Sequence, residues 1–145
     1  MRILSTESIA FSYKESEILE FPDIVLDEVE DLLILGKSGV GKTTLLHLLG
    51  GLLDPSKGSI NIKGTAINSL GNATRDRFRG EHIGYIFQTA HFISSLTVEE
   101  NLKLAVHLSA KKVASDRIHN LLKELNIFQY RNKLPSRLSL SLIHI

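Results

Sequence analysis

The stretch that most constrains this chain is Gly36-Lys37-Ser38-Gly39-Val40-Gly41-Lys42-Thr43, which meets G-x-x-x-x-G-K-[ST] at every fixed position. A triphosphate has to be held by many donors with no side chains in the way. Glycines at 36, 39 and 41 let the backbone fold around such an anion and point successive N–H groups inward. A helix starting at Lys42 would aim its unpaired N–H groups and positive dipole end at the same phosphates, and Lys42 would add a full charge near the β and γ positions. Thr43 is expected to place its hydroxyl on Mg²⁺. The expected nucleotide-binding run is therefore Gly36, Lys37, Ser38, Gly39, Val40, Gly41, Lys42, Thr43 and Thr44.

The flanks agree with that reading. "DLLILG" at 31–36 is an apolar run of the kind carried by a strand buried on both faces of a parallel sheet. "KTTLLHLLGGLL" at 42–53 is apolar all round, so as a helix it is expected to be buried. Earlier in the chain, "SIAFSY", "ILEF" and "IVL" are short β-like pieces separated by polar and proline-containing turns. Later, "GSINIKGTAI" alternates Ile60 and Ile62 with polar residues and turns at Gly64, as a half-exposed antiparallel strand does. "HIGYIFQ" at 82–88 is a second candidate for a buried strand. "TVEE" has capping-box spacing, Thr97 as N-cap and Glu100 three residues on, and predicts a helix through about Leu108. Ser115 is placed to cap another helix, whose Ile118, Leu121, Leu122 and Leu125 form an i, i+3, i+4, i+7 stripe.

Composition narrows the partners. With 43% hydrophobic and 23% charged residues, 145 residues suit one soluble domain. Seventeen basic against sixteen acidic residues give a net charge of +1 with no Lys/Arg block, so no nucleic-acid partner is expected. There are no cysteines, which excludes a disulfide framework, a thiolate zinc site and a cysteine nucleophile. Glu7 interrupts any signal-like apolar start, and "LLHLLGGLL" falls well short of the roughly 20 residues that span a bilayer. No direct membrane span is expected. The six histidines show no ligand spacing, so no metal site is expected beyond nucleotide-bound Mg²⁺.

Many proteins share the phosphate loop, and the rest of the chain separates them. A small GTPase needs an N-K-x-D guanine reader, and Asn132-Lys133-Leu134-Pro135 lacks the aspartate. From about Ile9 to Ser139 the sequence resembles the ATP-binding-cassette (ABC) ATPases. The match is carried by "GKSGVGKTTLLHLLGGLLDPSKGSINIKG", by "IGYIFQ" ending at Gln88, by "LTVEENL", and by Tyr13, twenty-three residues before Gly36. The resemblance implies that Tyr13 stacks on adenine, a task needing only its ring. It implies that Lys42 and Gln88 act in catalysis, and that Thr43 and Gln88 reach Mg²⁺ through the nucleotide. "IVLDE" at 24–28 looks like a Walker B strand, but in this family Walker B follows the signature, so Asp27 and Glu28 are read as a solvated acidic turn.

Pro135-Ser136-Arg137-Leu138-Ser139 matches the approach to the family's L-S-G-G-Q signature, and the match stops there. Residues 140–145 can be encoded by CTG TCT CTT ATA CAC ATC, the end sequence of a transposon used to fragment DNA, and are expected to be a non-native tail. Last codons that depart from that string would refute this. The expected organisation is thus residues 1–139 as the N-terminal part of an ABC ATPase domain, from Walker A to the start of the signature. The expected fold is α/β: a phosphate-loop core, truncated, with an antiparallel β subdomain and the start of a helical subdomain. The resemblance implies ATP and Mg²⁺, a cassette homodimer and a transmembrane permease as partners, and a cytoplasmic location on the inner face of the membrane. The segment at 79–102 looks most like the lipoprotein-release and macrolide-export branch. A soluble ABC-type ATPase of DNA repair or translation and a non-hydrolysing nucleotide-binding module are the alternatives.

Overall fold

The computed structural model describes residues 1–13, 17–89, 91–109 and 116–138. The chain is α/β and divides into two compact units, Met1–Arg79 and Gly80–Ile145.

The first unit is organised by β1 (Arg2–Phe11), which is long enough to serve several partners. On one side it pairs antiparallel with β2 (Leu19–Glu20) and β3 (Val25–Asp27), and on the other with β4 (Lys57–Ile62). Leu4 faces Ile62 and Thr6 faces Ile60 across the β1–β4 ladder. The register breaks between Glu7 and Ala10, where Ser8 takes a positive φ of 48° and donates its N–H to Asp23. Gly58 is required opposite this bulge, because a Cβ there would collide with the carbonyl oxygens of Glu7 and Ser8. β4 turns back into β5 (Thr65–Ala66) through Lys63 and Gly64, both at positive φ, as a two-residue hairpin requires.

The expected strand at "GSINIKGTAI" is therefore present, with Ile60 and Ile62 on its buried face. Beyond β5, Asn68 takes over as partner to β4: its Oδ1 accepts from Ile60 N–H and its Nδ2 donates to the Gly58 carbonyl. Among the described residues of this unit, Ile9, Leu48, Ile60 and Ile67 are the largest fully buried side chains.

Helix α1 (Lys42–Leu49) is shorter and less buried than its composition predicts. Thr44, Leu45 and Leu48 face inward while Leu46 stays exposed. Gly51, at φ +64°, ends it: the Gly51 N–H bonds to Leu48 and the Leu52 N–H to His47, the paired bonds of a Schellman turn. The Gly50-Gly51 pair thus stops an apolar helix that hydrophobicity alone would extend.

The larger correction concerns the two predicted buried strands. Residues 31–37 form no ladder, and Leu33 and Leu35 are 78% and 79% exposed. Residues 83–87 form none either, and Ile86 is 96% exposed. A strand buried on both faces of a parallel sheet needs neighbours brought by long crossovers. No described segment supplies one.

In the second unit, α3 (Val98–Leu108) begins where predicted. The Thr97 hydroxyl accepts from Glu100 N–H, and the Glu100 carboxylate accepts from Thr97 N–H, a complete capping box. The next two free N–H groups of its first turn, those of Val98 and Glu99, bond to the carbonyls of Lys133 and Arg131. Helix α4 (Arg117–Glu124) buries Ile118 and Leu122, while Leu121 and Leu125 line a cavity of about 280 Å³ closed by Phe92, Val98 and Pro135. Its cap position is held by Asp116; Ser115, the expected cap, lies outside the described residues. So do Ser139, the last residue of the signature approach, and the tail at 140–145. Helix α2 (Asn72–His82) joins the two units.

Candidate nucleotide-binding site

The loop at 36–43 is shaped by its glycines. Gly39 and Gly41 have φ of +84° and +98°, which residues with a Cβ rarely adopt. Gly41 also backs onto Leu19 and Phe21, so β2 and the residue after it buttress the loop from behind. Gly41 holds the N-cap of α1, and its carbonyl accepts from Leu45 N–H at 2.8 Å. No side chain caps the helix, which leaves its first N–H groups for another acceptor.

Lys42 folds back over the loop. Its ammonium donates to the carbonyls of Gly36 at 2.9 Å and Lys37 at 2.8 Å. Both acceptors are neutral, and among the described residues no carboxylate forms an ion pair with Lys42. A full positive charge is therefore fixed at the mouth of a glycine loop, next to the positive end of a helix, with no carboxylate among the described residues paired to it. Ser38, Val40 and Thr43 are exposed on the same segment.

Tyr13 is brought to α1. Its hydroxyl lies 3.1 Å from the Thr44 Oγ1, and its ring meets Phe11 edge-on at 4.8 Å. Half of Tyr13 is exposed, while Thr44 is buried. The role expected of Tyr13 needs only its ring; the structure also engages the hydroxyl, and Thr44, expected on the nucleotide, spends its side chain on Tyr13. Nothing in the local sequence signals this pair, which spans 31 positions.

Gln88 belongs to the second unit and sits in an exposed bend. The bend is spanned by the rings of Phe87 and His91, 4.7 Å apart, with Tyr85 against Phe87 at 4.5 Å. His91 Nδ1 donates to the Thr89 carbonyl at 2.7 Å. Asp27 ends β3 and Glu28 opens the acidic turn that follows, both exposed: the Asp27 N–H bonds to the Glu30 carboxylate and the Glu30 N–H to the Asp27 carbonyl. No cluster of three or more His, Cys, Asp or Glu suited to a metal occurs among the described residues.

The ABC transporter family matches residues 22–142, and the chain belongs to that family. Among its curated relatives is the bacitracin export ATP-binding protein BceA of Halalkalibacterium halodurans, 34% identical over 96% of this chain and 57% of that protein. Lipoprotein-releasing system ATP-binding proteins LolD are similar too: 34% identical in Xylella fastidiosa, over 94% of this chain and 60% of the relative, and 35% in Porphyromonas gingivalis, over 94% and 64%. The chain thus spans about three fifths of the length of these relatives. Among solved structures, a dimeric post-hydrolysis state of the ATP-binding cassette MJ0796 bound to ADP and Pi superposes with a TM-score of 0.79 at 28% identity, over 94% of this chain and 63% of that one. A second dimeric structure of that cassette gives 0.81 at 27% identity, over 97% and 65%. The expected likeness to the lipoprotein-release branch agrees with the LolD matches.

Proposed function

We propose that the intact protein is the ATP-binding subunit of an ABC transporter, hydrolysing ATP to drive a separate membrane permease. The observation that carries this reading is the Lys42 ammonium, with no described carboxylate as partner, over a loop whose Gly39 and Gly41 are already in the left-handed region. An anion of high charge density is the ligand that such a site favours, and a triphosphate supplies both charge and length.

On this reading the backbone of residues 36–43 holds the phosphates, and Lys42 exchanges its two carbonyl contacts for phosphate oxygens. Tyr13, anchored through Thr44, offers its ring to the base. Mg²⁺ fits only in company with the phosphates: within the first unit Thr43 offers one hydroxyl, and the ion would neutralise charge developing on the transferred phosphoryl group. Gln88 would sense or orient the reacting centre. Two cassettes would pair, as in the dimeric neighbours, and the assembly would sit in the cytoplasm against the inner face of the membrane. No helix among the described residues is long and apolar enough to cross a bilayer, which suits a design in which the permease does the spanning.

The test is an equilibrium titration of the intact protein with ATP. Lys42→Ala is expected to weaken binding by about 2–5 kcal/mol, the usual worth of a desolvated charge contact, and to abolish turnover. Unchanged ATP affinity would overturn the assignment of the loop.

A further inference from the structure

One amide in the second unit holds far more backbone than its own helix requires. The Asn101 Oδ1 accepts from Ile93 N–H at 2.8 Å. Its Nδ2 donates to the carbonyls of Ile93 at 3.2 Å, Leu96 at 3.0 Å and Thr97 at 2.9 Å. Two N–H hydrogens serve three carbonyls, so the group is used to capacity. Asparagine is a poor residue for a helix interior, and a leucine here would fill similar volume at better helical propensity. The amide is there for its bonds.

Those bonds lead toward Gln88. Ile93, held at both its N–H and its C=O, lies two residues after His91, whose ring and Nδ1 brace the bend that carries Gln88. At the other end Asn101 stands on a helix start fixed by its capping box and by the carbonyls of Arg131 and Lys133. Asn101 thus holds the backbone at Ile93, and two residues earlier in the chain His91 holds Thr89 and Phe87, the neighbours of Gln88. The Gln88 side chain is itself exposed, so its position is set by the backbone beneath it. We infer that Asn101 is a positioning residue for Gln88, holding the backbone that leads into the bend carrying the glutamine. The inference rests on the nucleotide-binding reading above.

The experiment is a double-mutant cycle on the intact protein, reading kcat and KM for ATP with Gln88→Ala, Asn101→Leu and the pair. Each single variant is expected to lower kcat about tenfold or more while moving KM less than about threefold, and the pair to be no slower than Gln88→Ala alone, since nothing is left to position. Losses that multiply overturn the inference, as does a Gln88→Ala variant of undiminished rate. Should circular dichroism show Asn101→Leu unfolded, Asn101→Asp decides. It keeps the acceptor for Ile93, loses the three donated bonds and adds a charge that suits a helix N-terminus. Its loss of rate must then vanish in the Gln88→Ala background. Lys42→Ala separates the two levels: if it leaves ATP affinity and turnover intact, the nucleotide reading itself fails, whereas full dependence on Lys42 with multiplying Gln88 and Asn101 losses sinks only the role of Asn101.

Discussion

Two apolar stretches of the first unit, β4 and residues 32–35, meet opposite fates. In β4, Ile60 is fully buried and Ile62 nearly so, while Leu33 and Leu35 remain about four-fifths exposed. By side chain alone the second stretch is the more hydrophobic. The difference is where each finds its partners. β4 reaches β5 through a two-residue turn and lies against β1 in an antiparallel ladder, so its burial is settled within the unit. The stretch at 32–35 is written for a parallel sheet, and a parallel neighbour arrives only through a crossover of a dozen residues or more.

The largest effect that would break this comparison is thermodynamic. Ile60→Ala should cost about 2–5 kcal/mol in denaturant unfolding of this chain, as cavity-forming changes in packed cores do. Leu33→Ser should stay within about 0.5 kcal/mol, the range for exposed sites, and should reduce self-association. Comparable losses at both positions would mean that Leu33 is buried in solution, and that the contrast between the two stretches is not real.

The same distinction explains what was legible in the sequence. Signals that close over a few residues are legible: the alternation of Ile60 and Ile62, the turn at Gly64 and the Thr97–Glu100 box all depend on near neighbours. Burial of "DLLILG" and "HIGYIFQ" rests on composition, which reports what a segment would accept and not what reaches it. The length of α1 failed for a different reason. Apolar content extended it through Leu53, whereas the left-handed Gly51 ends it at Leu49. Within the candidate site, the loop was visible and its supports were not. Tyr13 with Thr44, and Asn101 with Ile93, are pairs that only the folded chain brings together.

Thr97→Ala sharpens the local side of the comparison. Removing an N-cap hydroxyl costs typically about 1 kcal/mol, and here it also frees the Glu100 carboxylate from one of its partners. The loss should appear as faster amide exchange at residues 98–101 with β4 unchanged. Equal exchange in both elements would show that the two units do not respond separately.

Tyr13→Phe probes a pair joined across a long separation. It removes the bond to the buried Thr44 hydroxyl and should cost about 0.5–1.5 kcal/mol of stability, with ATP affinity falling by no more than that. Tyr13→Ala should go further, weakening ATP by about 1–3 kcal/mol while sparing inorganic triphosphate, because only ATP offers a base to stack. If ATP and triphosphate weaken alike, the ring supports α1 and does not meet the base.

The smallest effect is expected from acid, and it acts where two helices of the second unit meet. Glu99, in the first turn of α3, lies 2.6 Å from the Lys103 ammonium, 3.1 Å from His119 Nε2 on α4, and 4.0 Å from Arg131 Nε. Hydrogen bonds from Lys103 and then His119 hold its carboxyl below the usual 4.5, with burial opposing them. Glu100 is lowered as well, chiefly by the Thr97 backbone N–H. For a carboxylate whose folded value is depressed, the unfolded chain takes up the proton first as pH falls. The stabilisation is therefore complete above the usual value and is lost as pH drops from 4.5 through the lower folded value. Lys103 is well exposed, so salt should shrink the effect further. Unfolding midpoints measured from neutrality down through this window should fall less steeply for Glu99→Gln than for the wild-type chain. Superimposable acid limbs would show that the carboxylate does not tie α3 to α4, and that the joint rests on Ile118 and Leu122 instead.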